Sequence, residues 1–226
     1  MSRDEAVSVR DLHVRYPQDG GSVHALRGVT LSVSVGESVA VIGPSGSGKS
    51  SLIAVLAGLS NPSSGDVEIL GLSRERLRRR DSMDIGIMLQ NPSRNLFALA
   101  TAMENLVLAL RAVHVSGAAA RDRANELLEA VGLGERRTSR VRALSGGEQQ
   151  RLALAVAVAG RPRLVLADEP TSQLDRATGA QVARLLQELH RRDGTALLVV
   201  THDDAVAGLF DRTVVMRDGL LSGGHS

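Results

Sequence analysis

The chain has 226 residues, which suits one domain with an inserted segment and a substantial core. It has no cysteine, so disulfide frameworks and thiolate metal sites are excluded, and its one tyrosine, two phenylalanines and absent tryptophan require an aliphatic core. The N-terminus lacks the apolar segment of a signal peptide, and no apolar run reaches the roughly 20 residues of a membrane span. We therefore expect a cytoplasmic protein that reaches a membrane only through a partner.

The net charge of +2 is small, and residues 74–80 form the one dense basic segment. Such a segment can contact anionic lipid or nucleic acid, but no aromatic residues interleave it for base stacking. A solvated loop or helix face is therefore favoured, and no direct nucleic-acid contact is expected.

Alternating apolar residues predict two strands at the start of the chain. The first runs from Val7 to Tyr16, is broken near Asp11 and ends at Pro17, and the second covers residues 29–35. The continuous apolar run 39–42 then predicts a short strand that is buried on both faces.

The next segment matches G-x-x-x-x-G-K-[ST] between that strand and an apolar helix. Its glycines permit backbone angles and close approaches that a Cβ would forbid, so the N–H groups can turn toward a polyphosphate. Lys49 is the only lysine among 27 basic residues, and the N-K-x-D guanine motif, which needs a second lysine, is therefore absent. The pattern predicts an adenine nucleotide site whose phosphates are bound by Gly43, Pro44, Ser45, Gly46, Ser47, Gly48, Lys49, Ser50 and Ser51.

After strands predicted at 67–70 and 85–89, the pattern becomes helical. Apolar residues at i, i+3, i+4 and i+7 from Met103 and again from Ala124 predict two amphipathic helices with no strand between them. We interpret residues about 91 to about 145 as a helical insertion in an α/β domain, with edges uncertain by a few residues.

Residues 144–148 read Leu-Ser-Gly-Gly-Glu and open the next apolar helix. Ser145 and Glu148 have the spacing of a capping box, whereas Gly146 and Gly147 have low helix propensity for a first turn. Two bare glycines at a helix N-terminus favour the approach of an anion, and an ordinary capped helix is the alternative.

The buried strand predicted at 164–167 delivers Asp168 and Glu169 beside the phosphate loop. A carboxylate at the end of such a strand can hold Mg²⁺, and the second can orient or deprotonate a water. His202 follows the strand predicted at 195–201 and is placed to reach the γ-phosphate, although a lone histidine at a strand end is more often structural. A last strand at 214–216 and a turn at Asp218 close the sheet.

Together these motifs resemble the nucleotide-binding domain of an ATP-binding-cassette (ABC) transporter. The resemblance covers nearly the whole chain and rests on Tyr16, the phosphate loop, Gln90, residues 144–151, 164–169 and 172–175, and His202. It implies an α/β P-loop NTPase with a mixed sheet, in which antiparallel N-terminal strands join a parallel core, and an inserted α-helical subdomain. The single domain would comprise a RecA-like core at 1–90 and 160–226 and a helical subdomain at about 91–159, with edges uncertain by a few residues.

The resemblance also implies roles for individual residues. Tyr16 would stack on adenine, and Asp175 would lie at the seam of a dimer. Ser145, Gly146, Gly147 and Glu148 would bind the ATP that the opposite subunit holds. The implied catalytic set is Lys49, Gln90, Glu169 and His202, and the implied Mg²⁺ ligands are Ser50, Gln90 and Asp168.

In this family two such domains, identical or different, close head to tail around two ATPs and drive a pair of membrane subunits. The expected protein is thus an ATPase subunit of a transporter, peripheral on the inner face of the membrane. The phosphate loop and residues 23–28 are similar to lipoprotein-releasing and macrolide-exporter ATPases. Gln90-Asn-Pro with Leu96 and Phe97 is more similar to energy-coupling-factor importers, and export and import both remain open.

Two alternatives keep the cassette but not the transport. A soluble ABC ATPase acting on nucleic acid or ribosomes would carry a long coiled coil or a second cassette, and the chain has neither pattern. The other alternative is a cassette ATPase that regulates a membrane or cell-division complex and transports no substrate. Gln173, where the family commonly has a small residue, departs from the pattern at the seam.

Leu96 and Phe97 lie in a segment rich in turn-forming residues, and we predict that both avoid the core. They would form an apolar patch for a cytoplasmic helix of the membrane subunit, beside Gln90. In the alternative, Phe97 packs on Met103 or Leu106.

Overall fold

The computed structural model describes residues 5–18, 21–73, 76, 84–172 and 174–225. Its strands are β1 (Glu5–Gln18), β2 (Gly21–Ser34), β3 (Ser38–Ile42), β4 (Ser64–Ile69), β5 (Leu72–Ser73), β6 (Ile85–Met88), β7 (Leu164–Asp168), β8 (Ala196–Thr201), β9 (Arg212–Arg217) and β10 (Leu220–His225). The α-helices described over their length are α1 (Lys49–Leu56), α2 (Ala102–Ala112), α3 (Gly117–Ala130), α4 (Gly146–Val158), α5 (Arg176–Asp193) and α6 (Asp204–Ala207).

The strands form two sheets. One is antiparallel with the order β2-β1-β4-β5, and the other has the order β10-β9-β3-β8-β7-β6. In the second sheet all neighbours from β9 to β6 are parallel, and β10 is added by an antiparallel hairpin. The predicted α/β class is confirmed, with the antiparallel strands in a sheet of their own.

Helix α1 packs between the two sheets, and the other helices cover the far face of the parallel sheet. The alternation along β3 shows the division, because Val39 and Val41 join the core around α1 whereas Ala40 joins the core of the helical layer. Both faces of the parallel sheet are therefore buried, which explains why its strands read as continuous apolar runs.

The first two strands are longer than their apolar alternation indicates. A register shift between Val9 and Leu12 forms a bulge at Asp11, whose φ is 46°, so the predicted break there is confirmed. The strand does not end at Pro17 but pairs to Gln18, and β2 starts at residue 21 rather than 29. The alternation misses Pro17, Gln18 and residues 21–23 because they are exposed, and it misses residues 24–28 because only Leu26 among them is fully buried.

The two predicted helices are observed as α2 and α3 with no strand between them, and they pack with the later part of α4 around one aliphatic core. Capping boxes at Thr101 and Ser145 begin α2 and α4. No helix among the described residues is long and apolar enough to cross a membrane. Apart from Arg76, the basic segment 74–80 lies outside the described residues, as does Gln173.

Candidate nucleotide site

The phosphate loop joins β3 to α1, and the packing around it requires two of its glycines. A Cβ at Gly43 would clash with the carbonyl oxygen of Met216 in β9. At Gly48, where φ is 108°, it would lie 2.5 Å from the carbonyl oxygen of Ala25 in β2. The loop is thus held against one strand of each sheet, which fixes where its N–H groups point.

Lys49 lies at the centre of the site and is almost fully buried. Its Nζ donates to the carbonyl oxygens of Gly43 and Pro44 at 2.7 and 3.1 Å, and it lies 3.8 Å from Oε1 of Glu169. The loop and the carboxylate therefore hold the ammonium group where an anion bound by the loop would meet it.

Ser50 and Asp168 meet across the site, because α1 and β7 place their oxygens side by side. The Ser50 hydroxyl donates to Oδ1 of Asp168 at 3.1 Å. Burial raises the pKa of Asp168 above its usual range and the nearby Glu169 charge adds to this, whereas Ser50 and Lys49 oppose it. A buried carboxylate whose charge is poorly compensated is suited to receive a cation.

These oxygens fit Mg²⁺. The described residues contain no group of three or more His, Cys, Asp or Glu side chains that could cage a metal. Mg²⁺ usually takes only one or two carboxylates and completes its octahedron with waters and substrate phosphates. A hydroxyl and one carboxylate beside a phosphate loop are such a set.

Glu169 follows β7 in the left-handed backbone region, with φ 49°. This is an uncommon conformation for a residue with a side chain, and such residues cluster at functional sites. It brings the carboxylate back toward the loop, where Oε2 lies 2.8 Å from Nδ1 of His202. Glu169 is thus held between His202 and Lys49.

A cavity of about 430 Å³ opens beside the phosphate loop. Of the predicted residues, its wall brings together Ser45, Gly46, Gly48, Lys49, Ser50, Ser51, Gln90 and Glu169. Its other wall was not predicted and consists of Val23, His24, Ala25 and Arg27 from β2 with Asp218 and Gly219 from the β9–β10 hairpin. Backbone bonds join these parts, since Gly219 N–H donates to Ser47 and Arg27 N–H donates to Gly219, both at 2.9 Å.

The cavity is not lined by Tyr16, the Ser145–Glu148 segment or Asp175, nor by the predicted residues Gly43, Pro44, Ser47, Asp168 and His202. Tyr16 pairs with Val23, which lines the wall, and its hydroxyl lies 3.4 Å from the Ser60 hydroxyl. Ser145 accepts from Glu148 N–H at 3.2 Å and so caps α4. Asp175 accepts from the N–H and hydroxyl of Thr178 and begins α5. Within one chain, Ser145 and Asp175 therefore act as helix caps.

The segment after Gln90 is shaped by the side chain of Asn95. Asn95 accepts from Leu89 N–H at 2.9 Å and donates to the Ile87 carbonyl at 2.8 Å, closing the loop onto β6. The prediction that both apolar residues avoid the core is wrong for Leu96, which is 7% exposed, whereas Phe97 is 66% exposed. The closed loop turns Leu96 inward.

A glycine-rich loop between a strand and a helix, with its lysine, hydroxyl and facing carboxylates, defines a P-loop nucleotide-binding protein. Residues 26–172 match the family model described as ABC transporter. The chain therefore belongs to the ABC transporter family, as an ATP-binding cassette with ATPase activity.

Relatives and solved structures agree with this assignment. The chain is 41% identical to the lipoprotein-releasing system ATP-binding protein LolD of Novosphingobium aromaticivorans, over 96% of this chain and 99% of that protein. It is also 41% identical to the ABC transporter ATP-binding protein YbbA of Escherichia coli, over 98% of each. The dimeric post-hydrolysis structure of the cassette MJ0796 with ADP and Pi superposes with a TM-score of 0.88 at 34% identity, covering 97% of this chain and 98% of that chain.

A structure of cbiO1 from Clostridium perfringens, part of the ABC transporter complex cbiONQ, has a TM-score of 0.79 at 28% identity, over 98% of this chain and 88% of that chain. The similarity to lipoprotein-releasing ATPases is confirmed, and a cassette of the cbiONQ transporter complex shares the fold.

Proposed function

We propose that the chain hydrolyses Mg-ATP at the cavity beside the phosphate loop, with Glu169 as the base. The observation that carries this proposal is the Glu169 carboxylate, held 2.8 Å from His202 Nδ1 and 3.8 Å from Lys49 Nζ next to the loop. Glu169 orients a water and accepts its proton as the water oxygen bonds to the γ-phosphorus. The bond between the γ-phosphorus and the oxygen of the leaving ADP breaks at the same time. Ser50 and Gln90, which line the cavity, would hold Mg²⁺ together with Asp168, whose Oδ1 accepts from the Ser50 hydroxyl, and the ion would neutralise charge on the phosphate oxygens.

We further propose that two cassettes, identical or different, close head to tail around two ATPs. Ser145, Gly146, Gly147, Glu148 and Asp175 then contact the nucleotide and seam of the opposite subunit. Their position outside the cavity of their own chain supports this, as does the dimeric form of the similar MJ0796 cassette. We divide each domain into a core at 1–90 and 160–226 and a helical subdomain at about 91–159, with edges set to within a few residues.

The closing of the two cassettes is coupled to membrane subunits that dock near the Gln90–Phe97 segment. This keeps the cassette peripheral, on the inner face of the membrane. The relatives support the proposal because their names describe ATP-binding proteins of a lipoprotein-releasing system and of an ABC transporter. The exposed Phe97, in the same segment as Gln90 of the cavity wall, supports the place of docking.

The test is Glu169→Gln, which keeps the shape of the side chain but removes the base. We expect ATP binding to persist, turnover to fall by about 100-fold or more, and an ATP-bound dimer to accumulate in size-exclusion chromatography. Lys49→Ala is the contrasting variant and should lose ATP binding itself. Hydrolysis by Glu169→Gln at the wild-type rate would refute the assignment of the base.

A further inference from the structure

The buried side chain of Gln150 makes a contact that the proposed mechanism does not use. Gln150 lies in the second turn of α4 and is 0% exposed. Its Nε2 donates to the backbone carbonyl oxygen of Glu169 at 3.2 Å. Its Oε1 is also buried and has no hydrogen-bond partner among the described residues. The bond to Glu169 is therefore the polar contact through which this amide is anchored.

The bond falls on a residue whose backbone lies in the left-handed region. Glu169 adopts φ 49°, and its N–H donates to Val200 at 2.9 Å while its carbonyl accepts from Ser172 N–H at 3.2 Å. The Gln150 amide adds a second donor to that carbonyl. Because the left-handed backbone turns the carboxylate toward His202 and Lys49, whatever holds this peptide also aims the carboxylate.

We propose that Gln150 is a positioning residue for Glu169, acting through the Glu169 backbone. The inference rests on the proposed role of Glu169 as the base. Since α4 begins with the Ser145–Gly147 segment, the same rigid helix carries the element proposed to meet the partner's ATP and the amide that orients the base. Placing the two on one helix ties the geometry of the carboxylate to the position of that segment.

The test is Gln150→Met, which keeps an unbranched side chain of similar length without a donor. We expect kcat to fall by about tenfold or more, since a misplacement of about 1 Å can cost roughly 100-fold. KM for ATP should not change, because Gln150 does not line the cavity. Thermal stability should change little, because the variant loses one hydrogen bond but also removes the unpartnered Oε1.

The matched control is Gln187→Met. Gln187 is likewise a buried helical glutamine, 6% exposed, and its Nε2 lies 3.4 Å from the Ser38 hydroxyl, away from the site. We expect kcat of this variant to stay at the wild-type value. A kcat loss in Gln150→Met that Gln187→Met shares, or that comes with a raised KM, would overturn the proposal.

Two further variants separate the possible failures. If Gln150→Met does not fold, Gln150→Asn, whose amide is one methylene too short, is judged by the same criteria. In a Glu169→Gln background, Gln150→Met should add no further loss in single-turnover hydrolysis, because both act through one group. Wild-type kcat in Gln150→Met with a stalled Glu169→Gln would overturn only the positioning role. Wild-type turnover in Glu169→Gln would overturn the proposed function itself.

Discussion

The Nδ1 of His202 lies 2.8 Å from Oε2 of Glu169, and the two residues come from the ends of neighbouring parallel strands. An ionised carboxylate can only accept, so with Glu169 ionised this bond requires the proton on Nδ1. The His202 side chain is 62% exposed whereas that of Glu169 is 8% exposed. The histidine is therefore held at the mouth of the site by a buried partner.

This pair leads to a prediction for His202→Ala. Removing the imidazole frees the Glu169 carboxylate on one side, so kcat should fall by at least about tenfold, less than the roughly 100-fold loss expected for the base itself. Because the side chain is largely exposed, the melting temperature should stay within the error of the wild type. Steady-state ATPase assays and thermal melts check both parts, and an unchanged kcat would return His202 to a structural role.

The second prediction concerns adenine. Tyr16 lies outside the cavity wall but pairs with Val23, which belongs to it. If its ring stacks on the base, Tyr16→Ala should raise the KM for ATP by the equivalent of about 1–3 kcal/mol. Tyr16→Phe should have almost no effect, because the hydroxyl contact to Ser60 is 3.4 Å long. An unchanged KM in Tyr16→Ala would leave the tyrosine as an edge residue of the antiparallel sheet.

The third prediction concerns pH and a pair of residues, Ser38 and Asp211, at the opposite end of the parallel sheet from the nucleotide site. The Ser38 hydroxyl donates to Asp211 at 2.7 Å and holds the pKa of that carboxyl below its usual range, against the opposing effect of burial. The Ser38 N–H and the charges of His190 and Arg191 lower the pKa further. Because the pKa of Asp211 is depressed in the folded state, its stabilising effect is present above the ordinary value of 3.8 and is lost as the pH falls through the folded pKa.

We expect Ser38→Ala to lower the free energy of unfolding by about 1–3 kcal/mol at pH 7, because Asp211 N–H and Gln187 also lose their acceptor. The difference from the wild type should shrink as the pH falls below 3.8, the ordinary pKa of an aspartate, and through the lower pKa of the folded state. Urea denaturation at a series of pH values measures this. A difference that stays constant across the series would show that the cost is packing rather than the Asp211 bond.

The site was predictable where its chemistry is local in the chain. The phosphate loop carries its own signature, and the positions of Asp168 and Glu169 follow from the strand that precedes them. The wall formed by β2 and the β9–β10 hairpin was not predictable, because it reaches the loop only through pairing in two separate sheets. The hydrogen bond from Gln150 to Glu169 was not predictable either, because the two residues are 19 positions apart in the chain.

The prediction of the fold was limited in the same way, because the sequence pattern does not reveal contacts between distant segments. Apolar periodicity predicted β3, α2 and α3 well, because each buries one face or both. It missed the end of β1, where the side chains are exposed, and the first part of β2, where Leu26 is the only fully buried residue. It also placed Leu96 outside the core, because the turn residues around it do not reveal that Asn95 closes the loop and points Leu96 inward.

The last prediction separates the two apolar residues that follow Gln90. Phe97 is 66% exposed, with its backbone N–H held by Oδ1 of Asn105 at 2.8 Å, so the ring is presented to solvent on a fixed loop. The alternative in which Phe97 packs on Met103 or Leu106 leaves less of the ring exposed than is observed. Phe97→Ala should therefore change the stability of the isolated cassette by less than about 0.5 kcal/mol and leave its basal ATPase rate unchanged.

In the assembled complex the same substitution should weaken association, measured by co-purification with the membrane subunit. Leu96→Ala is the matched control, because Leu96 is 7% exposed and belongs to the core of the helical layer. It should cost about 2–5 kcal/mol of stability and lower the melting temperature of the cassette itself. If Phe97→Ala destabilised the isolated domain as Leu96→Ala does while association with the membrane subunit stayed intact, the docking surface would lie elsewhere.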